Sequence, residues 1–164
     1  MILSRTILNL VMLATLIMAG ACTRAVKEER LIAERPRFEM LIAADTSEFK
    51  DAVRERLLES YRGEGNITLM GVDGLRTIDP AAYDVILIMD TCLAWTHFNP
   101  SLMTFLADSP KLTHVVLLIT AGDQEWTFSQ GGLDAVTAAS ETENEERVAA
   151  RLKEQIEGIL ANPR

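Results

Sequence analysis

The chain has 164 residues, 48% of them hydrophobic and 24% charged, with 16 basic against 24 acidic side chains and a net charge of −8. That length fits one domain, and the apolar content is too high for a disordered chain. The acidic balance excludes general nucleic-acid binding, because such a surface repels phosphates, and two cysteines exclude a disulfide framework.

Residues 1–21 read MILSRTILNLVMLATLIMAGA. Arg5 precedes an apolar run from Thr6 to Met18, and the small residues Ala19, Gly20 and Ala21 follow. This is the order of a secretory signal peptide. Cys22 comes next, and the stretch resembles the lipobox of bacterial lipoproteins, in which a cysteine after small residues becomes the lipidated N-terminus. The usual Leu three places before that cysteine is Ala19 here. The alternative is plain cleavage after Ala-x-Ala, which releases a soluble chain. Thr23 stands where an Asp would resemble an inner-membrane retention signal, so the pattern points to the outer membrane. Residues 22–37 then read as a lipidated N-terminus and tether: the stretch 23–37 holds five basic and three acidic side chains and ends near Pro36. The basic groups either lie near anionic headgroups or belong to a solvated, partly helical linker. After residue 21 no apolar run is long enough to span a bilayer.

From Phe38 the pattern alternates. Phe38–Ala44 is a short apolar run. Phe49, Val53, Leu57 and Tyr61 then recur every four residues, as one face of a helix requires, with Thr46 or Ser47 as its cap and Gly63 and Gly65 after its end. Asn66–Val72 reads as a second strand, and Asp79-Pro80 as the start of a one-turn helix. Val85–Met89 and Val115–Ile119 are uniformly apolar, as strands buried on both faces are. Pro100–Leu106 reads as a helix between them, and Ala135–Ala139 as a weaker fifth strand. Thr142-x-x-Glu145 forms a capping box for a last helix with Val148, Leu152, Ile156 and Leu160 on one face, which stops at Pro163. These elements predict an α/β fold over 38–164. It is a three-layer, doubly wound, five-stranded parallel sheet of order 2-1-3-4-5, with its ligand site at the carboxyl edge where strand order reverses.

The stretch YDVILIMDTCLAWTHFNPSLMTFL resembles strand 3 and the following loop of the flavodoxin family, with Tyr83-Asp84, Ala94-Trp95-Thr96, Pro100 and Phe105-Leu106 in register. VVLLITAGDQEWTF is similar to flavodoxin strand 4, with Thr120 and Gly122 in place, and the stretch from Asp134 to Ser140 resembles the fifth strand. The resemblance implies a flavodoxin-like fold and a site for flavin mononucleotide (FMN). In the family a loop like SxTGNT after strand 1 holds the FMN phosphate by amides, hydroxyls and the helix dipole. The matching residues here run from Ala44 to Phe49, and of the motif only Thr46 is kept, with Ser47 in place of the glycine. Asp45 and Glu48 set two carboxylates where a dianion would lie. Each such contact at about 4 Å costs on the order of 4 kcal/mol at an effective dielectric near 20. The helix dipole contributes roughly 1–2 kcal/mol in return. Thr91 stands in the loop after strand 3. Leu93 takes the place of the usual stacking aromatic, which leaves Trp95 and Trp126 to stack on a flavin or to pack over the sheet edge. The degenerate FMN site is therefore Thr46, Ser47, Thr91, Trp95, Thr120, Gly122 and Trp126.

Receiver domains of response regulators share the strand order, and Asp90 and Thr120 would match their site. The acidic pair after strand 1 is reduced to Asp45, and Ala138 and Ala139 replace the lysine, so that reading is rejected. Asp45, Asp90 and Asp123 end strands 1, 3 and 4. They could hold Mg²⁺ or Ca²⁺ or raise one another's pKa, or each simply caps or precedes a helix. Cys92 reads as a small buried residue rather than a nucleophile, because Asp90 beside it disfavours a thiolate even with His97 near. His114 lies at the opposite edge.

The expected function is a non-catalytic binding or interaction module at the bacterial cell envelope, lipid-anchored through Cys22 on the periplasmic face of the outer membrane. The membrane and an envelope protein are its expected partners, nucleic acid is not one, and no cofactor is expected. The alternative is an FMN-binding electron-transfer protein or a quinone reductase, an FMN-dependent oxidoreductase.

Overall fold

The computed structural model describes residues 26–92, 98–109, 112–122, 127–130 and 132–162. The strands are β1 (Glu29–Leu31), β2 (Glu39–Ala44), β3 (Asn66–Gly71), β4 (Val85–Thr91), β5 (Val115–Thr120), β6 (Ser129–Gln130), β7 (Leu133–Asp134) and β8 (Val136–Ala138). The helices are α1 (Glu48–Tyr61), α2 (Pro100–Asp108) and α3 (Glu145–Ala161). Short 3-10 helices span Val72–Thr77, Pro80–Ala82 and Thr142–Asn144.

The main sheet has the order β1-β3-β2-β4-β5-β8. Its last five members are parallel neighbours in the predicted 2-1-3-4-5 order. Alternation along the strands explains why both faces are covered. Met40, Ile42, Leu87, Met89, Val116 and Leu118 face the side on which α1 and α3 pack. Leu41, Ala43, Ile86, Ile88, Leu117 and Ile119 face the other side, under α2 and the Val72–Thr77 turn. A strand with both residue sets buried has no polar face, which is why β4 and β5 read as continuous apolar runs.

The structure departs from the expectations at three places. First, the sheet has a sixth strand, taken from the segment expected to be a tether. β1 runs antiparallel to β3, with Glu29 opposite Leu69 and Leu31 opposite Ile67. It forms because Val26 and Leu31 pack on the core, Ala33 N donates to Asn66 Oδ1 at 3.1 Å, and Arg30 pairs with Glu39 at 3.3 Å. Second, the last helix has no capping box. Thr142–Asn144 closes a 3-10 turn, α3 starts at Glu145, and no side chain caps its N-terminus. The Glu145 carboxylate faces Arg56 on α1 at 3.7 Å instead. Third, the hairpin of β6 and β7 and the Val72–Thr77 turn carry too few residues for a periodic signal.

At the amino edge Phe38 meets Tyr61 edge-on, with ring centroids 5.9 Å apart. Burial, then Glu157 and Glu64, push the Tyr61 phenol above its usual range. Phe38 also lies over Gly65, whose missing Cβ would overlap the phenyl ring. Gly65→Ala is expected to lower stability by about 1–3 kcal/mol through overpacking, read as a fall in the urea midpoint at unchanged slope.

Candidate functional site

The carboxyl ends of β2, β4 and β5 bring Asp45, Asp90, Thr91 and Thr120 together beside the N-terminus of α1. Thr46 and Ser47 form the turn between. Ser47 caps α1: it has extended backbone, and its hydroxyl accepts from Lys50 N at 3.1 Å. The amides of the first turn point toward the same edge, since helix geometry provides no carbonyl for them.

The centre of this edge is Lys50. Its side chain is 1% exposed, and its ammonium forms an ion pair with Asp45 and a hydrogen bond to Thr91 Oγ1. It also donates to Thr120 Oγ1 at 3.4 Å. Thr91 Oγ1 donates to Asp45 Oδ2 at 2.8 Å, and Thr120 Oγ1 donates to Thr91 Oγ1 at 3.3 Å. A buried ammonium is stable only when its donors meet acceptors, and here a carboxylate and two hydroxyls supply them. Sequence reading missed Lys50. The signal was present: Lys50 precedes Val53 and Leu57 by three and seven residues, a charged side chain on an apolar helical stripe.

Asp90 is 3% exposed. Its Oδ2 accepts from Asn99 N at 3.0 Å, which ties β4 to the cap of α2. Asn99 in turn accepts from Ser101 N at 2.8 Å and donates to Asp73 at 3.0 Å. Burial raises the Asp90 pKa, and the Asp45 charge adds to the rise; the amides of Asn99 and Thr91 and the charge of Lys50 oppose it.

Of the expected site residues, the structure brings Thr91 and Thr120 into one cluster, but their hydroxyls are turned to Lys50 and Asp45. Thr46 and Ser47 lie at the rim. Gly122 is exposed, with open space where a Cβ would stand. Trp95, Trp126, His97 and Asp123 lie outside the described residues. Among the described residues no group of three or more acidic, His or Cys side chains is placed to hold a metal ion, and the positive charge that meets Asp45 is the Lys50 ammonium. Cys92 is buried, as expected of a packing residue. His114 sits at the amino edge, its ring nitrogen 3.2 Å from Pro80 O.

Against known proteins, no family model matches the chain, and no curated protein matches it. Solved structures do. Oxidised Flavodoxin 2 from Bacillus cereus is 16% identical over 73% of this chain and 99% of its own, with a TM-score of 0.50. Flavodoxin 1 from the same organism is 16% identical over 73% and 97%, with a TM-score of 0.44. The Fusobacterium nucleatum flavodoxin bound to flavin mononucleotide is 9% identical over 77% and 99%, with a TM-score of 0.47. The fold is therefore flavodoxin-like. The likeness to Flavodoxin 2, at a TM-score of 0.50, overturns the expectation of no cofactor and puts the alternative, FMN, in its place as the group to consider. The electrostatic ground for that expectation also fails. Asp45 is paired with Lys50, and Glu48 is exposed to solvent, where its field is screened. Thr46, Ser47 and the N-terminus of α1 stand together at this edge, and hydroxyls and helix-start amides are the donor types that a phosphate takes.

Two outcomes test this site. Lys50→Met leaves Asp45 without its counter-charge and is expected to cost about 2–3 kcal/mol, less than a fully buried pair because Asp45 is 34% exposed. Adding Asp45→Asn should recover most of the loss, measured as thermal midpoints in a double-mutant cycle. Asp90 has a raised pKa in the folded state, so its contribution to stability is fully present below about pH 3.9, the unfolded value, and is lost as pH rises through the folded one. Asp90→Asn should therefore raise the melting temperature at pH 7, and the gain should vanish in acid.

Proposed function

We propose that the chain is an exported, lipid-anchored flavodoxin-like protein that binds FMN and carries electrons at the bacterial cell envelope. The observation that carries this reading is the Lys50–Asp45 pair, which removes the charge conflict beneath a Ser47-capped helix N-terminus at the point where strand order reverses. It favours the electron carrier over the interaction module without catalysis. The lipidated Cys22, the cleaved leader and the periplasmic face of the outer membrane rest on the pattern of residues 1–23.

Thr46, Ser47 and the first-turn amides of α1 would hold the phosphate. Trp95 and Trp126 are the aromatic candidates for the ring. When bound, the flavin supplies one- and two-electron transfer. The chain's own residues prepare the place. Ser47 orders the first turn of α1 by accepting from Lys50 N. Lys50 fastens that turn to the ends of β4 and β5 through Thr91 and Thr120, so the loop is held before any ligand arrives. A preordered loop lowers the ordering cost of binding.

Titration of the purified, detergent-solubilised full chain is expected to quench FMN fluorescence with a Kd on the order of 1 μM, about −8 kcal/mol. Riboflavin, which lacks the phosphate, should bind at least about tenfold more weakly, a difference of about 1.4 kcal/mol. Equal affinities would remove the phosphate role of α1, and no binding of either compound would sink the reading.

A further inference from the structure

The direction of β1 decides which edge of the sheet the N-terminal segment leaves from. β1 is antiparallel to β3, and its first residue, Glu29, lies opposite Leu69, near the carboxyl end of β3, whereas Leu31 lies opposite Ile67. Traced backward from Glu29, the chain therefore runs out past the carboxyl edge. Val26 is packed against the core there. Val26 and Lys27 help to line a cavity of about 230 Å³ together with Thr46, Asp51 and Arg54, so this segment passes beside the first turn of α1. Only residues 23–25 separate Val26 from Cys22. Four Cα-to-Cα steps reach at most about 14 Å.

We infer that the tether holds the carboxyl edge of the sheet, with the Thr46–Ser47 rim of the candidate site, face down against the lipid surface. This rests on the reading of Cys22 as the lipidated residue. The partner is the bilayer to which that residue is fixed. The amino edge, one strand length away, stands roughly 20 Å farther out. Without the leader and its Arg5 the chain has 15 basic and 24 acidic side chains, a net charge of −9 that gives no general attraction to anionic headgroups, so the short tether sets the orientation. The register of β1, the Ala33–Asn66 hydrogen bond and the Arg30–Glu39 pair keep the segment from peeling away and lengthening the leash. Whatever reaches the site must then enter between the domain and the membrane.

The test uses the full, processed chain in a Cys92→Ala background, reconstituted into phosphatidylcholine vesicles that carry a nitroxide on their headgroups. A fluorophore is placed at Glu48→Cys or at Arg62→Cys, exposed positions at the two ends of α1. These ends are about 20 Å apart at 1.5 Å per residue. Flotation of the vesicles first reports the anchor, with Cys22→Ala as the control. Where the protein floats, quenching at position 48 is expected to be at least about threefold stronger than at position 62, since headgroup quenching is short-ranged beside an edge held within about 14 Å. Ten Gly-Ser residues inserted after Thr23 extend the tether by roughly 15–20 Å and should remove the difference. Flotation with equal quenching, with stronger quenching at position 62, or with a difference that survives the insertion overturns the orientation while leaving the anchor standing. Loss of flotation in the parent chain, or flotation unchanged in Cys22→Ala, overturns both.

Discussion

The carboxyl edge depends on one buried ammonium. Lys50 lies on the first turn of α1, yet it reaches across to the ends of β4 and β5, joining Asp45, Thr91 and Thr120 in one polar cluster. The cluster exists because α1 is placed by its apolar stripe of Phe49, Val53 and Leu57, which packs against the sheet and carries Lys50 inward with it. Once inside, the charge must be matched, and Asp45, the first residue after β2, matches it. Local chain geometry and burial cost thus meet at this pair, and the shape of the turn at Thr46 and Ser47 follows from it.

The same pair changes the electrostatics of the edge. Read along the chain, Asp45 and Glu48 look like two charges that repel an anionic ligand. In three dimensions Asp45 is paired with the Lys50 ammonium, and Glu48 faces solvent, where screening is strong. Asp90 takes no part in that balance as a surface charge. It is buried, bonded to the Asn99 amide, and serves to dock the cap of α2 on the end of β4.

The outer strand has a comparable logic. β1 covers one edge of β3 and shields the polar backbone there, which limits edge-to-edge pairing with other chains. Its three residues would not form a strand alone. Asn66, Glu39 and the apolar contacts of Val26 and Leu31 hold it, and its antiparallel direction turns the N-terminal segment toward the site.

The sequence alone determined the layered α/β fold, the order of the five parallel strands, the helix faces and the edge at which strand order reverses. Two-sided burial writes continuous apolar runs, one-sided burial writes a helical period, and short crossovers admit few topologies. Its leader-type first 21 residues and Cys22 stand outside the described structure and remain a reading of pattern. Tertiary structure decided the rest. A buried lysine looks like any surface lysine until its helix is docked, and the sign of the field at the edge depends on where that one charge goes. A three-residue strand has no period to detect, and its direction is set by partners that lie more than thirty residues away, Ile67 and Leu69 in β3. Pairwise contacts of that range leave no local trace, because each residue type satisfies its own neighbourhood equally well in other folds.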